Sequence, residues 1–436
     1  MLATVRHAIV LLTALVALCL LAAPTRGQES ATSGATPSAT PPVSIFLERL
    51  AAGEAWAEAV YATDIAFGDV DGDGRDEVAI VTSANTGARV VLLDDAAAGF
   101  APLTTFGNAW GAGSYATSVA FGNVDGDAAD EMGLTRATSV NERAYVFDDA
   151  AADFATLETW GADWAATVHG VAIAFGDPDG DGTDEVAVAH NGTSGARIFV
   201  YDDTAAAFAP LWDAADDWGV SAVAVSIAFG DTDGDGADEL GATRRHNVNH
   251  RVFLYAAADG APLWATGDAW GAGAWATDIA FGNVDGDPAD EIGVARRNSV
   301  NERAYVFDDA AAAFALLAGF GESWNTSAYA TSIAFGDVDG DGRDELALAR
   351  EATINPRVFV HDDALAAEPF DELWDVGAAW SGEQFATAVA FGQVDANPEA
   401  ELGLTRRADQ GPRAWVYSRG WASRLPFVAG APAEEE

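Results

Sequence analysis

A Phe-Gly step recurs seven times along the chain. It stands at Phe67-Gly68, Phe121-Gly122, Phe175-Gly176, Phe229-Gly230, Phe281-Gly282, Phe335-Gly336 and Phe391-Gly392, with spacings of 54, 54, 54, 52, 54 and 56 residues. No other feature limits the fold so strongly. A unit of this length cannot bury a core alone, so the copies must stack on one another. Each period reads as four short strands. In the first copy these are ATDIAFG (62–68), EVAIVTS (77–83), RVVLLDD (89–95) and FAPLTTF (100–106), with turn residues between them. Helical periodicity is absent. Four strands per repeat is the pattern of a propeller blade, and seven repeats predict an all-β, seven-bladed β-propeller of four-stranded blades.

The repeat register also predicts how the ring closes. Residues 46–64 align without gaps to residues 100–118, so the segment before the first copy is a fourth strand lacking its first three. The last copy supplies those three. An N-terminal strand completing the last blade removes both open edges. The alternative is that the tail, WASRLPFVAG (421–430), supplies that strand.

The rest of the 436-residue chain reads as follows. Residues 1–27 form a secretory signal peptide, with Arg6 and His7 before an apolar run from Ala8 to Ala23, too short to span a membrane comfortably. Residues 28–43 are a disordered Ser/Thr/Pro linker, and residues 44–436 are the propeller. The one cysteine, Cys19, lies in the signal peptide, so the mature chain has neither disulfide nor thiol chemistry. The expected location is secreted, extracellular or at the cell surface, and the expected state is a monomer with no membrane insertion. The net charge is −46, from 68 acids and 22 bases, every base an arginine. Such a chain repels nucleic acid and anionic lipid, which makes both poor partners, and no nucleic-acid partner is expected.

After each Phe-Gly comes an acidic loop, and the seven loops hold 31 of the 68 acids. Calcium takes 6–8 oxygen ligands, and alternate residues of a tight loop can turn their oxygens to one point. In the first loop Asp69, Asp71 and Asp73 would supply carboxylates, Arg75 its carbonyl and Glu77 the closing carboxylate, with Asp76 a competitor for that place. Three copies match it: Asp177, Asp179, Asp181, Thr183 and Glu185; Asp231, Asp233, Asp235, Ala237 and Glu239; Asp337, Asp339, Asp341, Arg343 and Glu345. Two begin with asparagine and are weaker: Asn123, Asp125, Asp127 and Glu131; Asn283, Asp285, Asp287 and Glu291. The seventh (Gln393, Asp395, Asn397, Glu401) carries Pro398 in place of the loop glycine and reads as weak or empty. Acidic turns without metal remain the alternative.

The Phe-Gly start, the DxDxDG-type loop and the seven copies resemble the FG-GAP repeats of integrin alpha-chain propellers and the related repeats of secreted bacterial proteins. The resemblance covers nearly all of the mature chain. It implies calcium in the loop between the first two strands of a blade, and it does not imply integrin function.

Strand direction places the other loops on the opposite face. An arginine opens the third strand in every copy: Arg89, Arg143, Arg197, Arg251, Arg303, Arg357 and Arg413. The second strand ends in Arg136, His190, Arg244, Arg296, Arg350 or Arg406, and Arg245, Arg297 and Arg407 double three of these. A tryptophan lies eleven residues before each Phe-Gly: Trp56, Trp110, Trp164, Trp218, Trp270, Trp324 and Trp380. Tyr61, Tyr115, His169, Trp275, Tyr329 and Phe385 lie nearby. Two readings stay open. Each Trp wedges between blades and each Arg caps carbonyls, or the Trp/Arg ring binds a glycan or a surface protein. No catalytic motif stands out. The expected role is an extracellular binding or adhesion module. The alternatives are a polysaccharide lyase, in which arginine and tyrosine assist elimination, and a purely structural calcium-stabilised scaffold.

Overall fold

The computed structural model describes residues 43–422 apart from 247–248, 299–300 and 354. The signal-peptide and linker readings up to residue 42, and the tail from 423, lie outside the described residues. Among those described there are seven four-stranded antiparallel sheets and one short 3-10 turn, Asp216–Trp218. This is the expected seven-bladed β-propeller. In six blades the strand order follows the sequence, as in blade 1: Ala62–Gly68, Glu77–Thr82, Val90–Leu93 and Pro102–Phe106.

Blade 7 takes Phe385–Gly392, Glu401–Arg407 and Ala414–Ala422 from one end of the chain and Val43–Ala52 from the other. The closing strand pairs antiparallel with Ala414–Ala422, Phe46 opposite Arg419 and Ala52 opposite Ala414. The N-terminal strand therefore fills the fourth place, and it begins at Val43, one residue inside the expected linker.

The first strands form the inner ring. Ala62–Gly68 packs between Tyr115–Gly122 of blade 2 and Phe385–Gly392 of blade 7. This close approach explains the repeated Phe-Gly. A Cβ on Gly68 would lie 2.3 Å from the Phe121 side chain, and one on Gly392 would lie 2.2 Å from Phe67. Each phenylalanine thus seats on the glycine of the preceding blade, and only a residue without a side chain leaves the space. The core lies at these blade interfaces. Val81, Val90 and Leu92 of blade 1, for example, form one buried cluster with Val119, Met132 and Leu134 of blade 2. The second strand is packed on both faces, and all six residues of Glu77–Thr82 are buried.

Polar stitches join the inner strands. Thr117, Thr277, Thr331 and Thr387 donate their hydroxyls to the Gly170, Ala330, Ala386 and Ala62 carbonyls of the next blade. Asp64 and Asp278 accept the next blade's Val119 and Ile333 amides, both at 3.1 Å. Burial first, then the charge of Asp278, pushes Asp64 up to about 7.

Candidate metal face and candidate ligand face

The acidic loops project from one end of the first strands. In loop 1, Gly74 sits at a φ of 87°, a left-handed conformation open to glycine. Asp69 organises the turn by accepting the Gly72 amide at 2.8 Å, the Asp73 amide at 3.1 Å and the Gly74 amide at 2.7 Å. In loop 2 Asn123 replaces it. There the side-chain oxygen accepts the Gly126 amide and the side-chain NH2 donates to the Asp127 carbonyl.

These turns bring carboxylates together. Asp69, Asp71 and Glu77 present oxygens within 4.8 Å of one another, as do Asp177, Asp179 and Glu185, and Asp231, Asp233 and Glu239. In the two Asn loops the third member comes from elsewhere. Asp148 joins Asp125 and Glu131, and Asp308 joins Asp285 and Glu291. Asp148 and Asp308 lie in the turn after the third strand, outside the acidic loop itself.

The carboxylate at the third alternate position of these loops also accepts a loop amide. Asp73, Asp181, Asp235 and Asp341 accept the amides of Arg75, Thr183, Ala237 and Arg343 at 3.0–3.1 Å, and Asp127 and Asp287 accept those of Ala129 and Ala289. Arg75 ion-pairs with Asp73 and Asp95, and Arg343 with Asp341 and Asp363. Asp76 does not share the Glu77 place. It accepts the Gln393 amide of blade 7 instead, and Asp130, Asp184, Asp238, Asp290 and Asp344 repeat this bond to the preceding blade.

The closing glutamates carry the clearest electrostatic signal. Glu77, Glu131, Glu291 and Glu345 are fully buried, and each binds a loop amide through one oxygen. The other oxygen has no partner, and Glu185 has none for either. Leaving such an oxygen unmatched costs about 1–3 kcal/mol, and more if it is charged. Burial, together with the neighbouring loop aspartates, pushes Glu77, Glu131 and Glu291 up to about 8 and Glu185 and Glu345 up to about 9. An oxygen-only cluster around an orphaned buried carboxylate oxygen fits a hard cation. The loops therefore hold acidic clusters that could bind a metal ion.

On the opposite face the seven arginines that open the third strands are at most 1% exposed. Each hands its N–H groups to carbonyls of turns. Arg89 donates to Gly107, Trp110, Gly111 and Ser114, all in the segment leading to blade 2. This is the capping reading.

The second arginine set is packed as well. The Arg136 guanidinium carbon lies 4.6 Å from the Trp110 ring centroid and 5.2 Å from that of Tyr145, and Arg136 is 4% exposed. Arg244 packs on Trp218 and Phe253, Arg296 on Trp270 and Tyr305, Arg350 on Trp324 and Phe359, and Arg406 on Trp380 and Trp415. In blade 3, His190 takes the place against Trp164, with ring centroids 4.8 Å apart. Burial pulls Arg350 and Arg406 down to about 10, so they stay charged at neutral pH.

The next residue along the second strand differs. Arg297 lies 4.4 Å over Tyr329 of the next blade and 5.4 Å over Trp275. Arg407 lies 5.0 Å over Tyr61 of blade 1. These residues ring the mouth of the central channel, where Trp275, Arg297, Tyr329 and Glu351 line a cavity of about 350 Å³ with Thr63, Thr277, Thr331 and Thr387. Tyr115 on the same rim is 44% exposed. The sequence signal was the doublet Arg244-Arg245, Arg296-Arg297 and Arg406-Arg407. Strand alternation sends neighbours to opposite faces, so if one is buried between blades the other reaches the channel.

No protein-family model matches the chain, and no curated protein matches it. Solved structures do. Raptor from Chaetomium thermophilum is similar at a TM-score of 0.56 and 15% identity, over 85% of this chain and 28% of that one. This chain thus spans little more than a quarter of Raptor's length. The Bacillus licheniformis rhamnogalacturonan lyase PL11 (TM-score 0.44, 14% identity, 82% of this chain and 72% of that one) and the exotype rhamnogalacturonan lyase YesX (0.47, 14%, 86% and 76%) are further matches. At these identities the likeness to Raptor shows the fold alone. No described helix is long and apolar enough to cross a membrane.

Proposed function

We propose that this chain is a secreted, calcium-stabilised β-propeller of the FG-GAP type that serves as an extracellular binding or adhesion module. Its ligand, a glycan or a surface protein, docks on the arginine- and aromatic-bearing face at the channel mouth. The observation that carries this reading is the arrangement of Arg297 and Arg407 on rim aromatics of the following blades, beside an open cavity. Arginine forks grip carboxylates and hydroxyls, and aromatic faces stack on the apolar faces of sugars. On a chain of net charge −46 this local excess of cations favours an acidic partner.

Calcium is the ion that the other face suits. The donors are carboxylates of Asp and Glu with no thiol or imidazole among them, which favours a hard cation over zinc. When bound, the ion neutralises the cluster. The residues themselves set the loop: Asp69 orders its backbone, and Glu77 supplies a buried oxygen.

The test is a glycan array followed by titration of acidic and neutral oligosaccharides into the wild type and Arg297→Gln. The reading expects an acidic ligand whose affinity falls at least tenfold in the variant. Equal affinity of wild type and variant for every bound glycan would overturn the proposed docking place. The arginine–tyrosine contacts at the mouth also favour a second reading, a polysaccharide lyase. Release of unsaturated uronate products from pectic or glucuronan substrates, read by ultraviolet absorbance, separates it from binding alone. No ligand and no turnover would leave a structural interaction scaffold.

A further inference from the structure

The seventh acidic loop departs from the other six together with the strand that lies beside it. Gln393 and Asn397 stand where full loops have aspartates, and Ala400 stands where six loops have the aspartate that binds the preceding blade. The fourth strand of blade 7 comes from the other end of the chain. At its β-bulge, between Glu48 and Leu50, lies Arg49. The equivalent residue in the other six blades is leucine: Leu103, Leu157, Leu211, Leu263, Leu317 and Leu373.

Arg49 reaches the loop. One of its terminal nitrogens lies 3.3 Å from an Asp395 carboxylate oxygen. Glu401, like Glu239 of the fourth loop, leaves no buried oxygen unpartnered, unlike Glu77, Glu131, Glu185, Glu291 and Glu345. A second arginine of the closing blade, Arg419, lies 3.0 Å from Asp339 in the loop of blade 6. It stands where blade 1 has Asp95.

We infer that Arg49 is the built-in cation of the seventh loop, a guanidinium in the place that metal ions take in the other loops. Gln393 and Asn397 remove two of the carboxylates that a full loop carries and Arg49 adds one fixed positive charge, so the seventh loop has less negative charge for a metal ion to neutralise. Blade 7 is also the one that joins the two ends of the chain. A fixed arginine makes that clasp independent of calcium, so the ring keeps its closure when the ion is withdrawn from the other loops. The inference rests on the metal reading of those loops, and one arm of its test does not.

That arm is hydrogen exchange in metal-free buffer, comparing the wild type with Arg49→Leu, a change to the residue that the other six blades use. The wild type should keep protection of amides 46–52, whereas Arg49→Leu should exchange there at least tenfold faster, with the other blades unchanged. Equal exchange in both proteins would overturn the role of Arg49, whether or not metal binds elsewhere. The second arm counts bound calcium by atomic emission after gel filtration. Gln393→Asp with Asn397→Asp should gain one ion per chain only when combined with Arg49→Leu. If the double variant gains that ion with Arg49 in place, the guanidinium does not hold the site.

Discussion

A guanidinium group can be buried without a carboxylate only if its N–H groups find acceptors, and the third-strand arginines find them largely in backbone carbonyls, with one Arg251 nitrogen left unmatched. Arg303 donates to Asn298, Gly321, Trp324, Asn325 and Ala328, so one side chain ties its own turn to the segment entering the next blade. Lysine has three donors on a point charge and cannot copy the fork. Arg303→Lys should cost about 3 kcal/mol in denaturant unfolding, because it leaves several buried carbonyls unmatched. The glutamates give a prediction of pH dependence. An unfolded glutamate titrates near 4.5, whereas folded Glu77 and Glu131 titrate near 8 and Glu185 and Glu345 near 9. The metal-free folded state therefore holds more protons between these values. Its stability from these groups is full below about pH 4.5 and is lost as pH rises through 8 to 9. The melting temperature of metal-free protein should fall by roughly 10 °C between pH 6 and pH 9, and saturating calcium should remove most of that fall.

At the scale of strands and loops, the sequence was most legible where a period speaks for itself. The strand 62–68 appears with its stated bounds. The gapless alignment of 46–64 with 100–118 foretold the closing strand. What stayed hidden depends on the angle between neighbouring blades. Arg136 at a strand end reads as surface, yet the wedge of Trp110 and Tyr145 encloses it. Asp76 reads as one more loop acid, yet it binds a loop more than 300 residues away in the chain. Nor does any local pattern show that Asp148 meets Glu131. The latch aspartates allow a direct test. Asp130 accepts the Asp69 amide at 3.0 Å, and Asp130→Ala should cost about 1.5–3 kcal/mol in denaturant unfolding. Because the natural Ala400 already lacks this bond, blade 7 gives the reference for a latch-free interface.

Across the whole molecule the two ends of the same strands have separate tasks. One end gathers acids around buried glutamate oxygens in clusters that could bind a metal ion. The other gathers arginine and aromatic rings, buried between blades as packing and open around the channel as a candidate docking ring. Near-identical units in a closed ring share the load, so a copy such as the seventh can lose its acids where another group supplies the charge. The cost of an uncompensated ring, by contrast, falls on every blade at once. The most direct measurement is thermal unfolding of the metal-free protein at pH 7.5 with and without calcium. The account predicts that calcium raises the melting temperature by roughly 10 °C or more, as expected for an ion that binds only the folded state at several sites. Superimposable melting curves with and without calcium would contradict it.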